Sequence, residues 1–120
     1  KSNSKIEFYI SSNYGDSSFI KPIKYTKKVT IPAKKIEDFI TDKVKLLKLE
    51  AEGAEPEILY GAGDKLKFIE YISADLGFER GIDKKSTIGP VTNYLLSNNF
   101  ELVSIYPRRT CILFRNKNYF

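Results

Sequence analysis

The 120-residue chain contains no histidine and no methionine, and it has a single cysteine. Without histidine, Ser/His/Asp and Cys/His nucleophilic catalysis are excluded, and the commonest transition-metal ligand is missing. One cysteine excludes an internal disulfide and a cysteine-rich zinc site. That residue, Cys111, stands in the apolar run from Thr110 to Phe114, where a buried, inert thiol is expected rather than a nucleophile. The lack of methionine reads as a processed product or a fragment. No run approaches the roughly 18 apolar residues that a membrane span needs, and no charged-then-apolar leader is visible, so the expected compartment is the cytoplasm. Chemistry in such a chain must rest on carboxylates, Lys, Tyr, Ser/Thr or a bound cofactor.

What is present is ordinary for a globular domain. Hydrophobic residues make up 42% and charged residues 29% of the chain, enough for a real core in one domain spanning residues 1–120. The net charge of +5 comes from 20 Lys and Arg against 15 Asp and Glu. These cations are spread along the sequence, which favours a solvated basic surface over a nucleic-acid interface.

Hydrophobic patterning divides the chain into short blocks. Lys5 to Ser11 and Tyr25 to Ile31 read as strands, separated by a polar loop with turn residues at Asn13, Gly15 and Asp16. Pro32 is read as opening a short helix with Ile36, Phe39 and Ile40 on one face. Val44 to Leu49 is a nearly continuous apolar run, expected to be a strand buried on both faces of a parallel sheet. Pro56 suits the first turn of a helix whose inner face is Ile58, Leu59 and Ala62, with Gly61 or Gly63 ending it. Ile69 to Leu76 is a second buried strand, followed by the charged loop Gly77 to Lys85. Pro90 marks another helix start, lined by Val91, Tyr94 and Leu95, with Asn98-Asn99 as its cap. Glu101 to Tyr106 and Thr110 to Arg115 are strands joined by so short a link that they must be antiparallel. The order β-α-β-α-β with right-handed crossovers predicts an α/β fold with a parallel sheet and a terminal antiparallel β-hairpin.

The densest chemical signal is Lys48-Leu-Glu-Ala-Glu-Gly-Ala-Glu55. An apolar strand ends in three carboxylates, Glu50, Glu52 and Glu55, around one glycine, and a proline-marked helix start follows. Acids at the C-terminal end of a strand beside a helix N-terminus have the layout of a ligand site in an open α/β sheet. In extended geometry Glu50 and Glu52 share a side, Gly53 allows a tight turn, and Glu55 suits the positive end of the helix. Taken alone, the cluster reads first as turn and capping chemistry, with Glu55 as the charge at the helix start and Glu50 and Glu52 solvated. Lys48 is expected to pair with an acid such as Glu50 or Asp75. Asp75, Glu79 and Arg80 fall at and beyond the end of the next strand, on the same sheet edge.

This segment, followed by Ile58-Leu59 and Gly61-Ala62, resembles the central motif of FkbM-type methyltransferases. Ile36-Glu-Asp-Phe-Ile40, Gly15-Asp-Ser-Ser-Phe19 and Leu95-Leu-Ser-Asn-Asn-Phe-Glu-Leu102 are similar to other segments of that family, so the resemblance covers essentially the whole chain. Two features depart from it: Glu50 stands where an aspartate is usual, and Asn99 where a glycine is usual. The resemblance implies the C-terminal half of a class I, Rossmann-like methyltransferase fold, with the cofactor loop and ribose-binding acid upstream of Lys1. It implies S-adenosylmethionine as cofactor and O-methylation of a sugar, glycan or secondary-metabolite hydroxyl. Glu50 and Glu52 are the expected catalytic residues. Glu50, Gly53, Ser17 and Ser18 are the expected cofactor contacts, and Glu55, Asp75, Glu79 and Arg80 the expected acceptor contacts. No metal, nucleic-acid or membrane partner is expected. The competing reading is a non-catalytic interaction module that self-associates through an exposed sheet edge.

Overall fold

The computed structural model describes residues 3–10, 27–78 and 80–119. Ser17, Ser18 and Glu79 therefore lie outside the described residues, as does the expected 11–18 loop. Strands β1 (Asn3–Ile10) and β2 (Lys27–Lys34) form an antiparallel pair in register from Asn3 opposite Lys34 to Ile10 opposite Lys27. The second strand passes straight through Pro32, which the sequence pattern had assigned to a helix start. A two-stranded sheet has only edge strands, where proline is tolerated. Only a 3-10 turn, Ile36–Asp38, follows, and of its expected apolar face Ile40 is buried while Phe39 is exposed.

The site is carried by a four-stranded sheet. Its strands are β3 (Val44–Leu49), β4 (Ile69–Asp75), β5 (Phe100–Tyr106) and β6 (Cys111–Asn116), in spatial order β3-β4-β6-β5. β3 and β4 are parallel, with Leu47 opposite Ile72 and Leu49 opposite Ala74. β6 runs antiparallel to both β4 and β5. The last crossover strand thus points the same way as β4 without pairing with it. β6 takes the central place because it alternates cleanly, burying Ile112, Phe114 and Asn116, whereas β5 is largely exposed beyond Phe100.

Helices α1 (Glu55–Ala62) and α2 (Ile88–Ser97) supply the other core layer. Leu59, Ala62, Val91 and Leu95 pack with Leu49, Ile72, Ala74, Ile112 and Phe114 in one buried cluster. Each large apolar side chain so buried contributes roughly 1.5–3 kcal/mol. Pro56 sits in the first turn of α1 and Gly63 ends it with φ 53°, while Asn99 takes the left-handed conformation after α2 with φ 69°. These assignments follow the sequence signals closely. Among the described residues no helix is long and apolar enough to cross a membrane.

β3 departs from expectation. Among the described residues it is an edge strand, not one buried on both faces: Lys45, Leu46 and Lys48 are exposed, and only Leu49 is fully buried. Lys45 and Lys48, three residues apart, fall on opposite faces of this strand, and charged residues on an edge discourage indiscriminate strand pairing.

Candidate active site

The carboxyl ends of β3 and β4 converge on the turn between β5 and β6. Asp75 ends β4 opposite Cys111, and Cys111 in turn pairs with Tyr106. Leu76 N–H donates to Thr110 O at 3.1 Å and fastens this turn to the end of β4. Two clefts share this edge and have Glu50, Asp75 and Arg109 in common. The one over the strands, about 220 Å³, is also lined by Lys48, Ser73, Tyr106 and Cys111. The outer one, about 330 Å³, is also lined by Glu52, Gly77, Arg108 and Thr110.

The loop after β3 is built around Glu55. Its carboxylate is buried, at 1% exposure, and accepts hydrogen bonds from Ala51 N–H at 2.8 Å and Gly53 N–H at 3.2 Å. Charge-assisted bonds to backbone donors contribute about 1.5–3 kcal/mol each. Glu55 thus folds the loop from within, and its carboxylate faces the loop rather than the clefts. Glu52 adopts φ 50° and Gly53 φ 100°, so the chain turns sharply after Glu50. Glu50 and Glu52 still line one cleft, but through this turn and not through the strand alternation expected for residues two apart. Among the described residues no three acids gather as a metal site would require.

Gly53 is where two loops touch. A Cβ on it would lie 2.6 Å from Arg80 Cα, so no larger residue fits without moving backbone. Arg80 also donates to Gly53 O at 2.8 Å and forks onto Glu57 at 2.6 and 2.5 Å. These hydrogen bonds to the Glu57 carboxylate, against some desolvation, raise the Arg80 pKa above its ordinary value, so it remains a cation. Arg80 N–H and O exchange hydrogen bonds with Lys85, which closes the 80–85 loop. Its guanidinium is therefore engaged in holding the acid-bearing loop against the loop after β4.

Glu50 is exposed and makes no hydrogen bond or ion pair with another described residue. Its carboxylate is available to a ligand. Asp75 is mostly buried and pairs with Arg109 at 3.1 Å, and not with Lys48. With Arg109 68% exposed, that pair is worth about 1 kcal/mol or less. Cys111 is half-buried, not enclosed, and its Sγ lies 3.5 Å from Ser73 Oγ on the cleft wall. The structure thus brings together Glu50, Glu52 and Asp75, and gives Glu55, Gly53 and Arg80 the task of shaping their loop. The pattern of the sequence missed Ser73, Tyr106, Arg108 and Arg109. The turn Pro107-Arg108-Arg109 carries a signal in its paired cations, although in the sequence its shortness points only to a link between antiparallel strands.

No curated protein and no solved structure matches the chain. A family model described as the Methyltransferase FkbM domain matches residues 2–102, ending within β5, short of the hairpin turn. With most of its length in that match and the family's acid-rich motif at the carboxyl ends of its parallel strands, the chain belongs to the FkbM methyltransferase domain family.

Proposed function

We propose that this chain is the C-terminal half of a class I, S-adenosylmethionine-dependent O-methyltransferase, acting on a sugar, glycan or secondary-metabolite hydroxyl. The observation that carries this reading is the exposed Glu50 carboxylate, held with Glu52 and Asp75 at the carboxyl ends of two parallel strands in a member of a methyltransferase family. The order β3-β4-β6-β5, with an antiparallel strand inserted last, suits such a half-sheet. The open edge of β3 is where a cofactor-bearing strand would pair.

A cationic cofactor suits the Glu50 carboxylate, which is exposed and makes no hydrogen bond or ion pair with another described residue. Glu50 and Glu52 would hold the cofactor's positive end, and Asp75 would face the acceptor. When bound, S-adenosylmethionine supplies an electrophilic methyl group on a sulfonium. Glu50 orients the acceptor hydroxyl and takes its proton as the oxygen becomes a nucleophile. Arg109 holds Asp75 at the cleft through their ion pair. The Glu55 and Arg80 contacts fix the loop, so that these groups do not reorganise during the reaction.

Isothermal titration calorimetry tests the cofactor assignment. The full-length protein is expected to bind S-adenosylmethionine with micromolar affinity, and residues 1–120 alone to give no appreciable heat. Failure of the full-length protein to bind removes the cofactor from the reading. Tight binding by residues 1–120 alone contradicts the half-fold.

A further inference from the structure

The β5–β6 turn places two guanidinium groups at the mouth of the clefts, beyond the end of the family match at residue 102. Arg108 makes no hydrogen bond or ion pair with another described residue. Arg109 meets Asp75 through a single contact of Nη2 with Oδ2 at 3.1 Å, and its side chain is mostly exposed. An exposed one-point pair is easily exchanged, whereas a guanidinium binds carboxylate or phosphate oxygens in a two-point fork. The turn itself is fastened to the end of β4. Thr110 adopts φ 52°, and its carbonyl is fixed by Leu76 N–H. The two cations are therefore carried on a strained, anchored turn next to the acids.

We infer that Arg108 and Arg109 form an anion-recognition element, and that the acceptor is a hydroxylated molecule bearing a carboxylate or a phosphate, such as a uronic acid or a sugar phosphate. This rests on the acceptor-side reading of the clefts, but not on methyl transfer itself. On binding, the acceptor's anionic group takes Arg109 away from Asp75 and engages Arg108 as well. Asp75, released from its ion pair, then accepts a hydrogen bond from an acceptor hydroxyl. The anionic group acts as a ruler: held at the hairpin turn, it sets which hydroxyl reaches Glu50. No covalent step is involved.

The test uses the full-length protein, isotopically labelled with nitrogen-15, without cofactor. Glucuronate, glucose 6-phosphate and glucose are titrated separately while the amide signals of Gly77, Arg109 and Thr110 are followed. At least one of the two anions is expected to shift these signals saturably, while glucose at the same concentration leaves them in place. The preferred anion identifies the class: glucuronate a carboxylate acceptor, glucose 6-phosphate a phosphorylated one. Arg108→Gln with Arg109→Gln is expected to weaken binding at least tenfold. Equal response to glucose and both anions overturns the inference, as does no response to any of them, or unchanged anion affinity in the double variant. Because the readout is binding without cofactor, its failure is separable from failure of the methyltransferase reading, which the calorimetry of S-adenosylmethionine addresses.

Discussion

Glu50→Gln is expected to lower the methyl-transfer rate of the full-length protein by roughly 10²–10⁴-fold, the range for removing a positioned general base. The substitution keeps the size of the side chain and removes only its charge and basicity. Glu50 is exposed and bonds to no other described residue, so the fold should lose no more than about 0.5 kcal/mol. The loss should fall on kcat more than on KM, because the proton is taken only as the transition state forms. Glu50→Asp separates charge from reach. It keeps the charge on a side chain one methylene shorter and should retain much more activity than the amide. Steady-state kinetics with a thermal melt on each variant checks both expectations. Unchanged kcat in Glu50→Gln removes Glu50 from the chemistry.

Gly53→Ala is the second large effect, and it works through the backbone. Gly53 has φ 100°, a conformation that alanine adopts only under strain, and the new Cβ would sit 2.6 Å from Arg80 Cα. Neither atom is the tip of a flexible side chain, so one loop must move. Strain of about 1–3 kcal/mol and overpacking of similar size together give a loss of about 2–6 kcal/mol. For a domain of this length that is a fall in Tm of about 10 °C or more. Activity should fall with it, because displacing either loop pulls Glu50 and Glu52 away from Asp75. A Tm within about 2 °C of the parent would mean that the contact between the two loops is not a structural constraint.

The parts of this arrangement legible in the sequence are those set by local rules. Pro56, Gly63 and Asn99 mark helix ends because their backbone preferences act within one turn. The strand starting at Ile69 and the helix face of Val91 and Leu95 follow from apolar spacing. What escaped notice depends on pairing over long separations. Nothing in Thr110 to Arg115 says that it inserts between β4 and β5, and once it does, Arg108 and Arg109 arrive beside Asp75, more than thirty residues away. Pro32 misled because the same residue suits a helix start or an edge strand, and only the pairing with β1 decides. The sequence offers Glu55 as a charge at the helix start or as an acceptor contact. Its burial and its bonds to Ala51 and Gly53 set it apart as the internal brace of the loop.

The most direct measurement is transfer itself. The full-length protein is incubated with methyl-tritiated S-adenosylmethionine and a panel of neutral and anionic sugars, and the product is located by tandem mass spectrometry. The expected result is a methyl ether on a hydroxyl oxygen, formed by the parent protein and lost in Glu50→Gln. Label that goes only to nitrogen or carbon, or that reaches the same oxygen equally in Glu50→Gln, would contradict the proposed O-methyl transfer at the carboxyl ends of β3 and β4.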